Sequence, residues 1–167
     1  MIERFVVMGV SGCGKSSIGG AFAAAIGAGY VDGDDLHSAE NIAKMVAGTP
    51  LNDADRRPWL TAVGQVFSTS ALPLVIGCSA LKHVYREIIR SNSGGRVAFL
   101  YLDGTRDLIH GRIAARKNHF MPKTLLNSQF EMLEPPTAEE TAMRVNIDQK
   151  PEAIVAKLVA HFRKEWQ

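Results

Sequence analysis

Phe5-Val6-Val7-Met8-Gly9-Val10-Ser11-Gly12-Cys13-Gly14-Lys15-Ser16 decides how this chain is read. Four apolar residues run without a polar break into a glycine-rich turn. Beyond the turn, Ile18, Phe22, Ala25 and Ile26 recur at helical spacing. An unbroken apolar run of this kind reads as a strand buried on both faces, the situation of a parallel sheet. Gly9 to Ser16 fits the spacing G-x-x-x-x-G-K-[ST] in full. The glycines let successive backbone N–H groups turn inward around an anion, at the positive end of the helix that follows. Lys15 is placed to reach the β- and γ-phosphates of a nucleotide, and Ser16 offers a hydroxyl to Mg²⁺. Gly9, Val10, Ser11, Gly12, Cys13, Gly14, Lys15, Ser16 and Ser17 are therefore the candidate nucleotide-binding residues.

Outward from that loop, strand-like and helix-like segments alternate. Tyr30-Val31 is a short strand before Asp32-Gly33-Asp34. Ser38 caps a short helix to Val46, and a longer helix runs from Asp53 to about Ser70 with Leu60, Val63, Gly64 and Phe67 on its inner face. Leu74-Val75-Ile76-Gly77 and Val97 to Leu102 are further apolar strands. Helices are expected over Val84–Ser91, Arg106–Lys117, Pro122–Leu133 and Pro151–Trp166, with a last strand over Ala142–Ile147. The alternation predicts one α/β domain over residues 1–167, a mostly parallel sheet flanked by helices through right-handed crossovers. Two insertions stand out, about 38–70 and about 116–134. Both start at element ends where open α/β sheets bind ligands.

Composition bounds the partners. Hydrophobic residues make up 46% and charged residues 22% of 167 residues, with a net charge of +2. No dense Lys/Arg stripe points to nucleic acid, and no apolar run is long enough to span a bilayer. Two cysteines in no metal-ligand spacing, and no leader-like N-terminus, predict a cytoplasmic protein.

Neither a D-x-x-G switch nor an N-K-x-D base-reading segment follows the loop, which argues against a regulatory GTPase. Asp32-Gly33-Asp34-Asp35-Leu36-His37 occupies the end of the second strand instead. Two carboxylates on alternate residues suit two jobs: one holds a Mg²⁺-bound water, the other accepts a hydroxyl proton. Asp35 reads equally well as a helix cap.

The chain resembles the gluconate kinases (gluconokinases) of the P-loop shikimate-kinase-like group. The resemblance rests on Met8 to Ser16, on Asp32 to His37, and on Asn41 with Lys44-Met45. It continues through Gly48 to Asp53, Asp55 to Leu60, Cys78 to Lys82 with Tyr85-Arg86, Arg116-Lys117 with His119-Phe120, Ser128 to Glu131, and Ile147-Asp148. It implies a P-loop kinase fold with strand order 2-3-1-4-5 and a mobile lid, a homodimer, and ATP-dependent phosphorylation of D-gluconate on its 6-hydroxyl. It implies Asp34 as general base, with Lys15 and a lid Arg116 stabilising the transferring phosphoryl group. Asp32 would join Ser16 in holding Mg²⁺. His37, Arg56, Lys82 and Arg86 would hold the sugar acid beside Asp34. Arg112, Asp148 and Pro151 would surround adenine.

Arg56 suits the acid end because a guanidinium pairs bidentately with carboxylate. Without the resemblance, Asp55-Arg56-Arg57 is also an ordinary solvated charge run. Trp59 reads as packing, as do Met121 and Met132. His83, His110 and His161 read as structural, and His37 and His119 stay open. Another small-molecule kinase of shikimate or adenylylsulfate type, or a non-catalytic nucleotide-binding module, remain the alternatives. If the third strand lies beside the first, Cys78 approaches Cys13, and a redox pair becomes an expectation too, with Lys15 and the helix N-terminus lowering the Cys13 pKa.

Overall fold

Alternate residues of the strand β1 (Arg4–Met8) build the two halves of the core. Phe5 and Val7 point into one layer and Val6 and Met8 into the other, and all four are fully buried. Side chains of a strand leave opposite faces in turn, so a sheet covered on both sides needs no polar residue in its central strands. The computed structural model describes residues 1–116 and 122–164. The expectations for Lys117, Asn118, His119, Phe120, Met121 and Trp166 lie outside them.

Around β1 run α1 (Lys15–Ile26), β2 (Gly29–Asp32), a 3₁₀ turn (Gly33–Leu36), α2 (Ala39–Val46), α3 (Asp53–Thr69) and β3 (Leu74–Gly77). These are followed by α4 (His83–Asn92), β4 (Val97–Asp103), α5 (Arg106–Ala115), α6 (Lys123–Met132), β5 (Ala142–Asn146) and α7 (Pro151–Arg163). The five strands are ordered β2-β3-β1-β4-β5 and every neighbouring pair is parallel. The expected fold and strand order are therefore the observed ones. α5 stops at Ala115, and Arg116 is its C-cap.

On one side of the sheet α1 and α7 cover Phe5, Val7 and Leu100 with Phe22, Leu158 and Phe162. Phe5 sits edge-on to both Phe22 and Phe162, with ring centroids 5.3 and 5.4 Å away. On the other side α3 and α4 cover Val6, Met8, Ile76 and Phe99 with Trp59, Leu60, Val63, Phe67 and Ile89. Parallel strands all end at the same edge, so the loops after β1, β2 and β3 converge there.

This layering decides the cysteine expectation. β3 does lie beside β1. Yet Cys13 packs into the layer under α1, and Cys78 into the layer under α3 and α4. Both thiols are free and buried, and burial pushes the Cys78 thiol up to about 12. The two face opposite sides of the sheet, so the expected redox pair does not form in this fold.

The turn after β3 has its own support. Ala80 adopts a left-handed backbone (φ 44°), which costs an L-residue on the order of 1–2 kcal/mol. Arg86, fully buried, donates from one guanidinium nitrogen to the Ala80 and Leu81 carbonyls at 3.0 and 3.2 Å. Its Nε and other terminal nitrogen meet Glu140 at 2.7 and 2.8 Å. Arg90 and His83 also reach Glu140. Burial pushes the Glu140 carboxyl up, but hydrogen bonds from Arg86, Arg90 and His83 outweigh it and hold the carboxyl well below its usual range. The substrate role expected of Arg86 is thereby corrected. Its guanidinium is sealed in the fold and braces the β3–α4 turn, leaving no face for a sugar acid.

Glu140→Ala leaves a buried guanidinium uncompensated and should cost about 3–5 kcal/mol in urea unfolding. Because the folded pKa of Glu140 is depressed, its contribution is present above the ordinary glutamate pKa near 4.3 and fades as pH falls below it. Wild type should lose stability over that acid range more steeply than Glu140→Gln. Equal slopes would show that the pair is not formed.

Candidate active site

The loop between β1 and α1 closes as a cradle. Gly9 N–H donates to the Ser79 carbonyl at 3.2 Å, which joins the loop to the turn that Arg86 braces. Gly12 has φ 81°, and a Cβ there would stand 2.7 Å from Ile113 of α5, so only glycine fits. Lys15 folds back across the loop, its ammonium 3.0 Å from the Gly9 carbonyl and 3.1 Å from that of Val10. Beside it opens a cavity of about 810 Å³, lined among others by Ser11, Gly12, Gly14, Lys15, Ser16, Ser17, Asp34 and Arg116. That volume is ordinary for a ligand site. Gly9, Val10 and Cys13 stand behind the cradle and shape it through the backbone.

Asp34 reaches the cavity because β2 and β3 come unusually close at their ends. Asp32 pairs in register with Gly77, and a Cβ on Gly33 would stand 2.5 Å from the Gly77 carbonyl oxygen. Gly33 therefore lets the chain turn down against β3. Asp32 caps the turn, its Oδ1 accepting from Asp34 N–H at 3.0 Å. From the far side, the Trp59 indole N–H donates to the Gly33 carbonyl at 2.8 Å. Trp59 is 4% exposed and stacks on His37 with centroids 4.0 Å apart. The packing role expected of Trp59 is the observed one, and what it packs is the turn that carries Asp34.

The Asp34 residue is exposed on the cavity wall, where neighbouring groups desolvate its carboxyl in part. Burial pushes its carboxyl above the usual range, Asp32 and Asp35 push the same way, and Lys15 and His37 pull against them. The result is a carboxylate of raised basicity facing the phosphate loop. Burial holds His37 below its ordinary pKa, Asp34 works against that, and Arg56 adds to it. His37 is therefore a neutral ring near pH 7, with Nδ1 3.3 Å from the Asn41 amide.

Arg56 and Lys82 flank the ring of Tyr85, 5.6 and 5.5 Å from its centroid. Lys82 pairs with Asp53 at 3.2 Å, and Tyr85 donates to the same carboxylate. Asp55 is occupied elsewhere, closing a capping box with Asn52 and pairing with Lys44 at 2.8 Å. Arg57 is exposed. Neither His37, Arg56 nor Lys82 lines the cavity. Asn41 joins His37 to α3 by also donating to the Asp55 carbonyl at 3.0 Å, and Arg56 and Lys82 meet on Tyr85, so the three stand along one polar edge beyond Asp34.

The Mg²⁺ expectation fits the donors present. The Ser16 hydroxyl and Asp34 line the cavity, and Asp32 keeps one carboxylate oxygen outside its cap. Hard oxygen donors of this kind suit Mg²⁺ with its retained waters. On the opposite side, Arg112 donates to the Ile147 carbonyl at 2.7 Å, joining α5 to the loop that begins with the exposed Asp148. Pro151 borders a separate groove between α1 and α7.

Several lining residues carried no chemical signal in the sequence. Met45, Val46, Gly48 and Pro50 form one wall, and Ile113, Pro122, Thr124, Leu125 and Ser128 the other. Gln129 also went unassigned, although it bonds the phosphate loop directly. All but Ile113 fall in the two insertions, about 38–70 and about 116–134, and the resemblance includes Met45, Gly48, Pro50, Ser128 and Gln129 without giving them a role.

Gly33→Ala should force the turn away from Gly77, at a cost of about 1–3 kcal/mol. Turnover should fall on the order of 100-fold because Asp34 is misplaced, while ADP affinity stays within about threefold. Thermal unfolding and calorimetric ADP titration check both halves.

Comparison with known proteins places this geometry. A family model described as "Shikimate kinase" matches residues 11–163. The thermoresistant gluconokinase of Escherichia coli (strain K12) is 42% identical over 165 residues, covering 96% of this chain and 93% of that one. A probable gluconokinase of Mus musculus is 42% identical, covering 92% and 94%. The crystal structure of a gluconokinase from Sinorhizobium meliloti 1021 superposes with a TM-score of 0.85 at 42% identity, covering 98% of this chain and 97% of that one. A shikimate kinase from Bacteroides thetaiotaomicron shares the fold alone, with a TM-score of 0.66 at 17% identity. By sequence over nearly its whole length, and by a fold that places a carboxylate beside the phosphate loop, this chain belongs to the gluconokinase family.

Proposed function

We propose that the protein transfers the γ-phosphoryl group of ATP to the 6-hydroxyl of D-gluconate, giving 6-phospho-D-gluconate and ADP. The observation that carries the reading is Asp34, a carboxylate of raised basicity on the cavity wall it shares with Lys15 and Ser16. Phosphoryl transfer asks a protein mainly for position and positive charge. Backbone N–H groups of the phosphate loop orient the nucleotide, and Lys15 turns from the loop carbonyls toward the β- and γ-phosphates. Asp34 takes the proton of the attacking hydroxyl. Ser16 and Asp32 would hold Mg²⁺, which would supply charge neutralisation. Arg116, exposed at the end of α5 on the cavity wall, answers the negative charge on the transferring group. Within the segment about 116–134, the part ahead of Gln129 serves as a lid that excludes water, and the part from Gln129 on is its fixed base.

The polar edge of His37, Arg56 and Lys82 receives the sugar acid, with Arg56 on the carboxylate. Arg112 and the start of the loop at Asp148 hold adenine, with Pro151 turned to the groove between α1 and α7. A cytoplasmic homodimer completes the reading. The first rests on two free thiols and on the absence, among the described residues, of a helix able to cross a membrane. The second rests on the family resemblance, and sedimentation tests it.

ADP release with ATP and D-gluconate, its epimers, shikimate or adenylylsulfate tests the assignment. Gluconate should be favoured by at least about 100-fold in kcat/KM, the gap a site built on hydrogen bonds can open. Preferential turnover of shikimate would defeat it. Asp34→Asn should lose about 10²–10⁴ in kcat while ADP affinity holds. A base must be deprotonated to act. The acid limb of kcat/KM should therefore lie above the ordinary aspartate pKa near 3.9, with activity falling as pH drops through it. Arg56→Lys should raise the gluconate KM about tenfold or more with little change in kcat.

A further inference from the structure

Ser11 lies on the rim of the phosphate loop, and its backbone N–H finds no acceptor inside the loop. Its partner comes from 118 residues away. The Gln129 side-chain oxygen, on α6, accepts from Ser11 N–H at 2.7 Å, and the Gln129 amide nitrogen donates to Ser11 Oγ at 3.1 Å. One planar carboxamide thus grips both the backbone and the side chain of a single loop residue. The other loop contacts are local or go to the turn after β3. Gly9 N–H bonds Ser79, Cys13 N–H bonds Val10, and Lys15 lies over Gly9 and Val10.

Gln129 is itself held. It sits in the C-terminal half of α6, where Phe130 lies 5.2 Å under the Arg106 guanidinium, and Leu126, about one turn earlier, is buried. Just beyond the helix, Glu134 N–H bonds the Leu81 carbonyl at 2.8 Å, and the Glu134 carboxylate accepts from His83 N–H at 2.8 Å. The same helix supplies Thr124, Leu125 and Ser128 to the cavity wall. Its C-terminal half is therefore a fixed post, anchored on α4 and on the phosphate loop.

A loop with glycine at positions 9, 12 and 14 is costly to order, at about 1–2 kcal/mol per residue fixed. A clamp that fixes it before the ligand arrives removes part of that cost from binding. We propose that Gln129 is a positioning residue for the nucleotide. By holding Ser11 at two points it presets the phosphate loop and ties the loop to the cavity wall formed by α6. The proposal rests on the reading of the cavity as a nucleotide site. Gln129 acts through Ser11 and touches neither phosphate nor acceptor.

The test is calorimetric titration of ADP, without acceptor, into wild type, Gln129→Met, Ser11→Ala and the double variant. Methionine keeps the length of glutamine and removes both hydrogen bonds. Gln129→Met should weaken ADP binding about tenfold while the melting temperature falls by no more than about 3 °C, and Ser11 amide exchange should accelerate. The double variant should bind like Gln129→Met alone, because the serine hydroxyl has then already lost its partner. Unchanged ADP affinity in Gln129→Met, with or without a large loss of melting temperature, overturns the proposal and leaves Gln129 structural. Tighter binding also overturns it, since Gln129 would then be occupying space the nucleotide needs. So do fully additive losses in the double variant. Failure of wild type to bind ADP at all sinks the nucleotide reading itself, which is a separate result.

Discussion

The backbone of Gly33 rests against the carbonyl of Gly77, and the arrangement of the site follows from that contact. Parallel strands bring the ends of β1, β2 and β3 to one edge, but proximity of strands does not by itself place a carboxylate. The placement comes from a residue without a side chain, turning tightly enough that Asp32 caps the bend and Asp34 enters the cavity. Trp59 then fixes the bend from α3 with an indole hydrogen bond. The segment between β2 and β3, which looks like an insertion in the sequence, is thus the support of the carboxylate as well as the bearer of Arg56.

Charge in this protein is sorted by depth. Lys15 and Arg116 face the cavity, and Arg56 and Lys82 line the edge beyond Asp34. Arg86 carries the same formal charge and does something else, holding the β3–α4 turn from inside through Glu140 and two carbonyls. The phosphate loop depends on that turn through the bond from Gly9 to Ser79. The site is therefore braced from two remote directions, by Arg86 below β3 and by Gln129 on α6.

The features legible in the sequence were those with short-range grammar. The apolar run Phe5 to Met8, the spacing from Gly9 to Ser16 and the alternation of strands and helices led to a parallel α/β sheet, and the family resemblance supplied the strand order that is observed. Asp34 could be singled out, and lies on the cavity wall, because its neighbours in sequence, Asp32 and Gly33, are also its neighbours in space. Arg86 was misassigned because a sequence displays a charge but hides its burial, and its partner Glu140 is 54 residues away. Gln129 was passed over for the same reason, as an uncharged residue whose contact spans 118 positions. The cysteines show a third kind of error. The neighbouring strands were right, but which face of the sheet each thiol takes is a matter of packing, and Cys13 and Cys78 fall on opposite sides. Met45 and Val46, exposed at the end of α2, line the cavity through shape alone, which leaves no chemical mark in the sequence.

The central claim is chemical, that this cavity joins the γ-phosphoryl group of ATP to a primary hydroxyl oriented by Asp34. Gluconate has one primary hydroxyl, at C6, so proton-coupled ³¹P NMR of the product of ATP and D-gluconate reads the claim directly. A single new phosphomonoester signal split into a triplet by two methylene protons is the predicted result. A doublet, from a secondary carbinol, or the release of inorganic phosphate alone would contradict it.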